Sequence, residues 1–161
     1  MTWWRAQRAA IAGLLVAAVA AGGVHFWFQV RPSLDRPGPR YVIADAVELG
    51  GHRLSLASER RDEFEAPEGS TTVSVRLRAG SDEDAETCGT FSLSEIGGER
   101  VWLDARGDVD VTSDDERSCQ NGSASYGILA VFLVPDDATG PFWLDVPVIG
   151  SPEIMRFRVD G

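Results

Sequence analysis

The side chains of this chain best suited to covalent or metal chemistry are Cys88, Cys119 and His52. A zinc site is disfavoured by their spacing: the cysteines do not form C-x-x-C, and His52 is the only histidine beyond the N-terminal stretch. An even cysteine count behind an export-type N-terminus predicts one disulfide, Cys88–Cys119, with two unrelated buried thiols as the alternative. Such a bridge closes about 30 residues and contributes about 3–4 kcal/mol in the chain-entropy model. His52 follows Gly50-Gly51 at a strand start, a setting that predicts an ordinary exposed residue. A Ser-His-acid arrangement needs an imidazole beside the serine, and His25 lies in the apolar N-terminal segment. The chain has no lysine, so neither a Schiff-base amine nor a lysine base is present.

Carboxylates are plentiful. Asp82, Glu83, Asp84 and Glu86 form one run and Asp114, Asp115 and Glu116 another, both in polar stretches that read as solvated loops. Glycosidase chemistry needs two carboxylates facing each other across a cleft, and the pattern gives no sign of one. Asp108-x-Asp110-x-Thr112 begins like an EF-hand loop. It then departs, with Ser113 at the glycine position and Cys119 at the bidentate glutamate position. A loose calcium site from Asp108, Asp110, Asp114 or Asp115 is the weaker reading, and no metal or other cofactor is expected. Asn121-Gly122-Ser123 matches the N-glycosylation pattern but reads as a turn.

The elements that must position these residues start with an apolar stretch. From residue 9 to 30 only His25 and Gln29 are polar, and as a helix this spans about 33 Å, enough for a bilayer core of about 30 Å. Trp3, Trp4 and Trp27 flank it as interface anchors. The expected organisation is a cytoplasmic tail at 1–8, a signal-anchor helix at 9–30, a proline-rich stalk at 31–40 and one domain at 41–161. Ala18-Val19-Ala20 matches a signal-peptidase pattern. Cleavage there would leave an exposed apolar tail, so an uncleaved anchor is the expectation. No cysteine follows the apolar run, which excludes a lipid-modified N-terminal cysteine.

Flanking charges do not orient the helix, because Arg5 and Arg8 are matched by Arg31, Arg36 and Arg40. The disulfide does: it persists only outside the cytoplasm, which puts the domain there and the N-terminus inside. Beyond residue 30 the chain carries thirteen arginines against 25 acidic residues, a formal charge of −12. That surface repels nucleic acid and anionic lipid headgroups.

The rest of the chain reads as β. A strand is expected over 41–49, a turn at Gly50-Gly51 and a strand over 52–56. Residues 60–69 read as loop. Residues 71–79 alternate cleanly, with Val73, Val75 and Leu77 on one face and Thr72, Ser74, Arg76 and Arg78 on the other. Further strands are expected at 90–95, 101–105, 126–134, 142–148 and 154–159, the apolar run at 126–134 as a central strand. An acidic loop fills 107–123. About eight short strands between turn signals predict an immunoglobulin-like antiparallel β-sandwich behind one N-terminal transmembrane helix. Trp102 and Trp143 sit between apolar neighbours, so each is either core packing or a surface anchor for a partner.

Trp3-Trp4-Arg5, His25-Phe26-Trp27-Phe28, Val73-Ser74-Val75-Arg76-Leu77, the Cys88/Cys119 pair and Phe132-Leu133-Val134-Pro135 together carry a resemblance. In these residues the layout resembles actinobacterial single-pass membrane proteins with an extracytoplasmic telokin-like immunoglobulin-type domain. The resemblance implies fold and location and carries no catalytic or ligand residues. The expected function is a non-catalytic binding or scaffold module of the cell envelope, with a membrane anchor and an envelope protein partner. The alternatives are an extracytoplasmic hydrolase or metal-dependent enzyme using loop carboxylates, and a structural domain that positions the helix for membrane partners through Gly13, Ala17, Ala20 and Ala21.

Overall fold

The structure, a computed structural model, describes residues 2–31 and 38–160. The stalk expected at 31–40 falls mostly outside the described residues. The chain divides into Met1–Gly38 and Pro39–Gly161.

In the first unit, alanine- and leucine-rich sequence of high helix propensity forms α1, Thr2–His25. The helix starts earlier than residue 9 and takes in part of the expected tail. Its last turn widens into a π-helical turn, Phe26–Val30, where the Arg31 N–H donates to the Phe26 carbonyl. Within it Ala10–Phe28 is long and apolar enough to cross a membrane, as an anchor or as an export signal.

The second unit is a sandwich of two sheets. Its strands are β1 Arg40–Ile43, β2 Ala46–Leu49, β3 His52–Arg61, β4 Ser70–Ser81, β5 Ser92–Glu95, β6 Val101–Leu103, β7 Tyr126–Pro135, β8 Phe142–Pro147 and β9 Glu153–Val159. One sheet runs β1-β9-β8-β5-β6 and the other β2-β3-β4-β7. The order β9-β8-β5-β6 is the G-F-C-C′ order of an immunoglobulin-type sandwich, and the β4·β7 pairing matches its B·E pair. Alternation does the rest. Val73, Val75 and Leu77 of β4 and Ile128, Ala130 and Phe132 of β7 face Leu93, Phe142, Leu144, Met155 and Phe157 of the other sheet in one fully buried core.

Four expectations are corrected. The strand read over 41–49 is two strands, because the chain changes sheets at the bend after Ile43. β1 pairs with β9 in parallel, so the sandwich is not wholly antiparallel. β3 continues to Arg61, through residues read as loop, because it stays paired with β4 as far as Val73. β7 is last in its sheet rather than central. Its apolar run has a different cause: residues 104–116 cover its free edge and outer face. The Ala105 N–H donates to the Val131 carbonyl at 2.7 Å, and the Leu129 N–H to that of Glu116 at 3.0 Å. Buried Arg106 clamps this cover by donating to the carbonyls of Glu116, Leu129 and Ser113.

The outer face of β4 is covered too. Thr72 exchanges hydrogen bonds with the backbone of Phe64, and the Ser74 hydroxyl donates to the Glu63 carboxylate. Arg76 grips that carboxylate with two bonds of 2.7 and 2.8 Å. Chiefly through those Arg76 bonds, the Glu63 pKa lies below its ordinary value of 4.5. A carboxyl with a lowered folded-state pKa stabilises fully above the unfolded value, and the contribution vanishes as pH falls through the folded one. Glu63→Gln is therefore expected to cost about 2 kcal/mol at pH 7. The gap to wild type should narrow below about pH 4.5. Urea titrations at pH 7 and pH 3.5 check this, and a gap independent of pH would contradict the assignment.

Candidate functional site

Two places gather chemistry-bearing side chains. The first is the outer face of the five-stranded sheet. Cross-strand register builds it in rows: Tyr41, Ile154 and Pro147, then Ile43, Arg156, Asp145, Ser92 and Leu103, then Arg158, Trp143, Ser94 and Val101. Period-2 alternation puts these on one side, while Phe142, Leu144, Met155 and Phe157 fill the core on the other. Tyr41, Ile43, Val101 and Leu103 are all exposed, Leu103 to 63%.

Arg156 is the centre of this face. Its guanidinium makes two 2.6 Å bonds to the Asp145 carboxylate. It also lies over the Tyr41 ring at 3.4 Å and 5.5 Å from the Trp143 ring centroid. A fork–fork ion pair fixes the guanidinium plane, and two aromatic rings bracket it. The result is a fixed, nearly charge-neutral patch of Tyr, Trp and Arg on a rigid sheet.

The two tryptophans part company here. Trp102 points into the sandwich and meets fully buried Phe142 edge-on, with ring centroids 5.8 Å apart. Trp143 lies on the outer face. Sequence reasoning left either as core or anchor, because both have apolar neighbours on each side. The available signal was register: Trp143 alternates with Phe142 and Leu144, whose larger combined apolar bulk claims the core.

The second place is the end of the sandwich beyond the β2–β3 hairpin. Cys88 and Cys119 form a disulfide there, with Cα atoms 5.8 Å apart. Cys88 bridges to Val148 just past β8. Cys119 ends the long acidic loop, and the adjacent Gln120 N–H donates to the Tyr126 hydroxyl at 3.0 Å. Gly122 N–H bonds the Asp82 carbonyl, and the Asn121 side chain bonds that of Ala85. Asn121-Gly122 is the expected turn, with Gly122 at φ +68°.

His52 overturns its expectation. It is fully buried, because the hairpin turn at Gly50-Gly51 folds it under the 82–88 segment. Gly50 and Gly51 accept hydrogen bonds from the Glu86 and Asp82 N–H groups, respectively. A Cβ on Gly50 would approach Val148 to 2.7 Å, so only glycine fits this turn. His52 Nε2 contacts the Glu86 carbonyl, while Nδ1 is buried with no partner. A ring nitrogen of His52 and both cysteine sulfurs lie within 4.8 Å of one another. An open groove of about 390 Å³, lined by Cys88, Phe91, Asp104, Arg117 and Ile149 among others, runs beside the bridge.

The acidic residues are dispersed. Asp82 pairs with Arg53 at 3.1 Å, and Asp115 accepts from Ser113 and lies 3.6 Å from Arg76. Among the described residues, Asp108, Asp110, Asp114 and Asp115 do not meet as a set of three or more at metal-ligand distance. The groove beside the bridge carries one carboxylate, Asp104, whose Oδ1 accepts from the Val131 N–H at 2.9 Å.

In the first unit, Trp27 is exposed, and the Arg31 guanidinium sits 4.1 Å from its ring centroid. Trp3 and Trp4 belong to the first turn of α1, and the interface role expected of their indoles lies outside what is described. Gly13, Ala17, Ala20 and Ala21 fall within about 100° of one helix face.

No family model matches the chain, and no curated protein matches it. Among solved structures it is similar to an uncharacterized β-sandwich protein from Clostridium difficile 630. That likeness has a TM-score of 0.48 at 9% identity and covers 77% of this chain and 96% of that one.

Proposed function

We propose that the chain is a non-catalytic binding module of the cell envelope. It is held by α1 in the membrane with the sandwich outside the cytoplasm, and it recognises a protein partner through the outer face of the five-stranded sheet. The observation that carries this reading is the Tyr41–Arg156–Trp143 cluster. Tyr, Trp and Arg are the residue types that dominate binding energy at protein interfaces. Here they are locked by Asp145 and ringed by exposed Ile43, Val101 and Leu103. Pre-ordering lowers the entropy cost of binding.

Charge selects the kind of partner. The chain beyond residue 30 carries a formal −12, while Arg156 and Asp145 cancel at the centre of the face. The complement of this nearly neutral face is a protein surface with an apolar centre, and the chain's overall negative charge disfavours strongly acidic partners. The likeness in layout to actinobacterial single-pass proteins fits this reading, as does the Cys88–Cys119 bridge, which endures outside the cytoplasm.

The test is site-specific photocrosslinking in intact source cells. A photoreactive residue at Leu103, on the proposed face, is expected to trap one discrete protein. One at Arg78, on the other sheet, is not. Tyr41→Ala with Trp143→Ala should abolish the Leu103 adduct. Protease added to the same cells should remove the domain. An equal adduct from Arg78, or a domain shielded from external protease until the membrane is opened, would reject the reading.

A further inference from the structure

The disulfide end holds a feature that a plain staple does not require. His52 is fully buried, and its Nε2 faces the Glu86 carbonyl. A carbonyl only accepts, so Nε2 carries the proton and Nδ1 keeps its lone pair. That lone pair is buried without a partner, and an unsatisfied buried polar atom is costly. A histidine whose outer N–H is held by a backbone carbonyl, leaving the other nitrogen free, is arranged as metal-binding histidines are. The soft donors beside the ring are the sulfurs of Cys88 and Cys119, and a ring nitrogen of His52 and both sulfurs lie within 4.8 Å of one another.

From this geometry we infer a redox-gated metal site. With the bridge closed, the sulfurs are bonded to each other and the site takes no metal. With the bridge open, the Cys88 and Cys119 thiolates and the free nitrogen of His52 bind one Zn²⁺, with a fourth position left for water. Zinc takes thiolates at about 2.3 Å and imidazole at about 2.0–2.1 Å. A tetrahedral set then needs its donors about 3.6–3.8 Å apart, which small side-chain movements supply here.

The frame needed for this does not depend on the bridge. Cys88 is held through the Gly89 and Ile149 N–H bonds to the Pro147 and Thr87 carbonyls. Cys119 is held through Gln120 on Tyr126 and through the Asn121 and Gly122 bonds to the 82–85 segment. Both halves therefore stay in place once the sulfurs separate.

The opening step balances with a dithiol as reductant. The dithiol closes to its own disulfide and supplies two electrons and two protons, and the Cys88–Cys119 bond becomes two thiols. Zn²⁺ then displaces the two thiol protons. The groove lined by Cys88 gives the dithiol its approach.

The experiment uses the full chain in detergent micelles, oxidised or reduced with a dithiol and desalted without oxygen. Zn²⁺ is titrated against a chromophoric chelator, and Co²⁺ is added in parallel for its thiolate charge-transfer absorption. Reduced chain is expected to bind one Zn²⁺ and to show the charge-transfer band, whereas oxidised chain does neither. His52→Asn should weaken Zn²⁺ binding at least about tenfold. Should that variant not fold, the ring ¹⁵N signal of His52 in reduced wild type must shift on adding Zn²⁺. Reduced wild type that takes up no Zn²⁺, or an unmoved His52 signal, overturns the inference. So does a folded His52→Asn variant with unchanged affinity.

Discussion

Trp102→Ala is expected to destabilise the domain by about 3 kcal/mol, and Trp143→Ala by less than about 1 kcal/mol. Both residues lie on short strands of the same sheet and both are half-buried, but only Trp102 is packed against the core. Trp102 packs edge-on against Phe142 in the core, and its removal leaves a hole that β6, only Val101–Leu103 long, cannot collapse to fill. Trp143 presents its ring to the outer face and loses a loose contact with Arg156. Urea denaturation followed by far-ultraviolet circular dichroism compares the two without relying on tryptophan emission. The order should reverse in partner binding. There Trp143→Ala is expected to cost about 2 kcal/mol or more, roughly a thirtyfold loss of affinity. Equal stability losses would mean that Trp143 serves the fold, and the proposed face would lose its anchor.

The sequence made strands legible where apolar and polar side chains alternate. Residues 71–79 alternate strictly, and β4 runs there as expected. It misled where a second layer of chain changes what counts as outside. Leu129 and Val131 look like the second buried face of a central strand, yet they are covered by the segment that Arg106 pins down. The polar Thr72 and Ser74 read as wet, but they are fully buried because the chain after β3 returns across them.

The sites divide in the same way. The Cys88–Cys119 pairing followed from count and export context, which are properties of the whole chain. The burial of His52 depended on a turn folding over it, and the Tyr41–Arg156–Trp143 cluster on register between strands 100 residues apart in sequence. Neither leaves a local pattern. A parallel β1·β9 pair is the least legible of all, since nothing within residues 40–43 names a partner at the far end of the chain.

Replacing both cysteines, Cys88→Ser with Cys119→Ser, is expected to cost about 3–4 kcal/mol, or roughly 10–15 °C in Tm. The bridge spans a sequence separation of 31, and most of its effect lies in the unfolded chain, where it forbids extended conformations of that loop. The folded state loses less. Cys119's neighbours remain bonded to Tyr126, Ala85 and Asp82, and Arg106 still holds the Ser113 and Glu116 carbonyls of the same loop. The double variant should therefore fold to the same sandwich, with unchanged circular dichroism. Its extra susceptibility should be concentrated between residues 107 and 118, where limited proteolysis would cut before global unfolding. This also separates the staple from the inferred metal site. Reduced wild type should recover part of the lost stability when Zn²⁺ is added, because a ligand bound only by the folded state stabilises it. The double serine variant should recover none. A variant as stable as oxidised wild type would mean that the hydrogen bonds alone hold the loop and that the bridge is incidental to the fold.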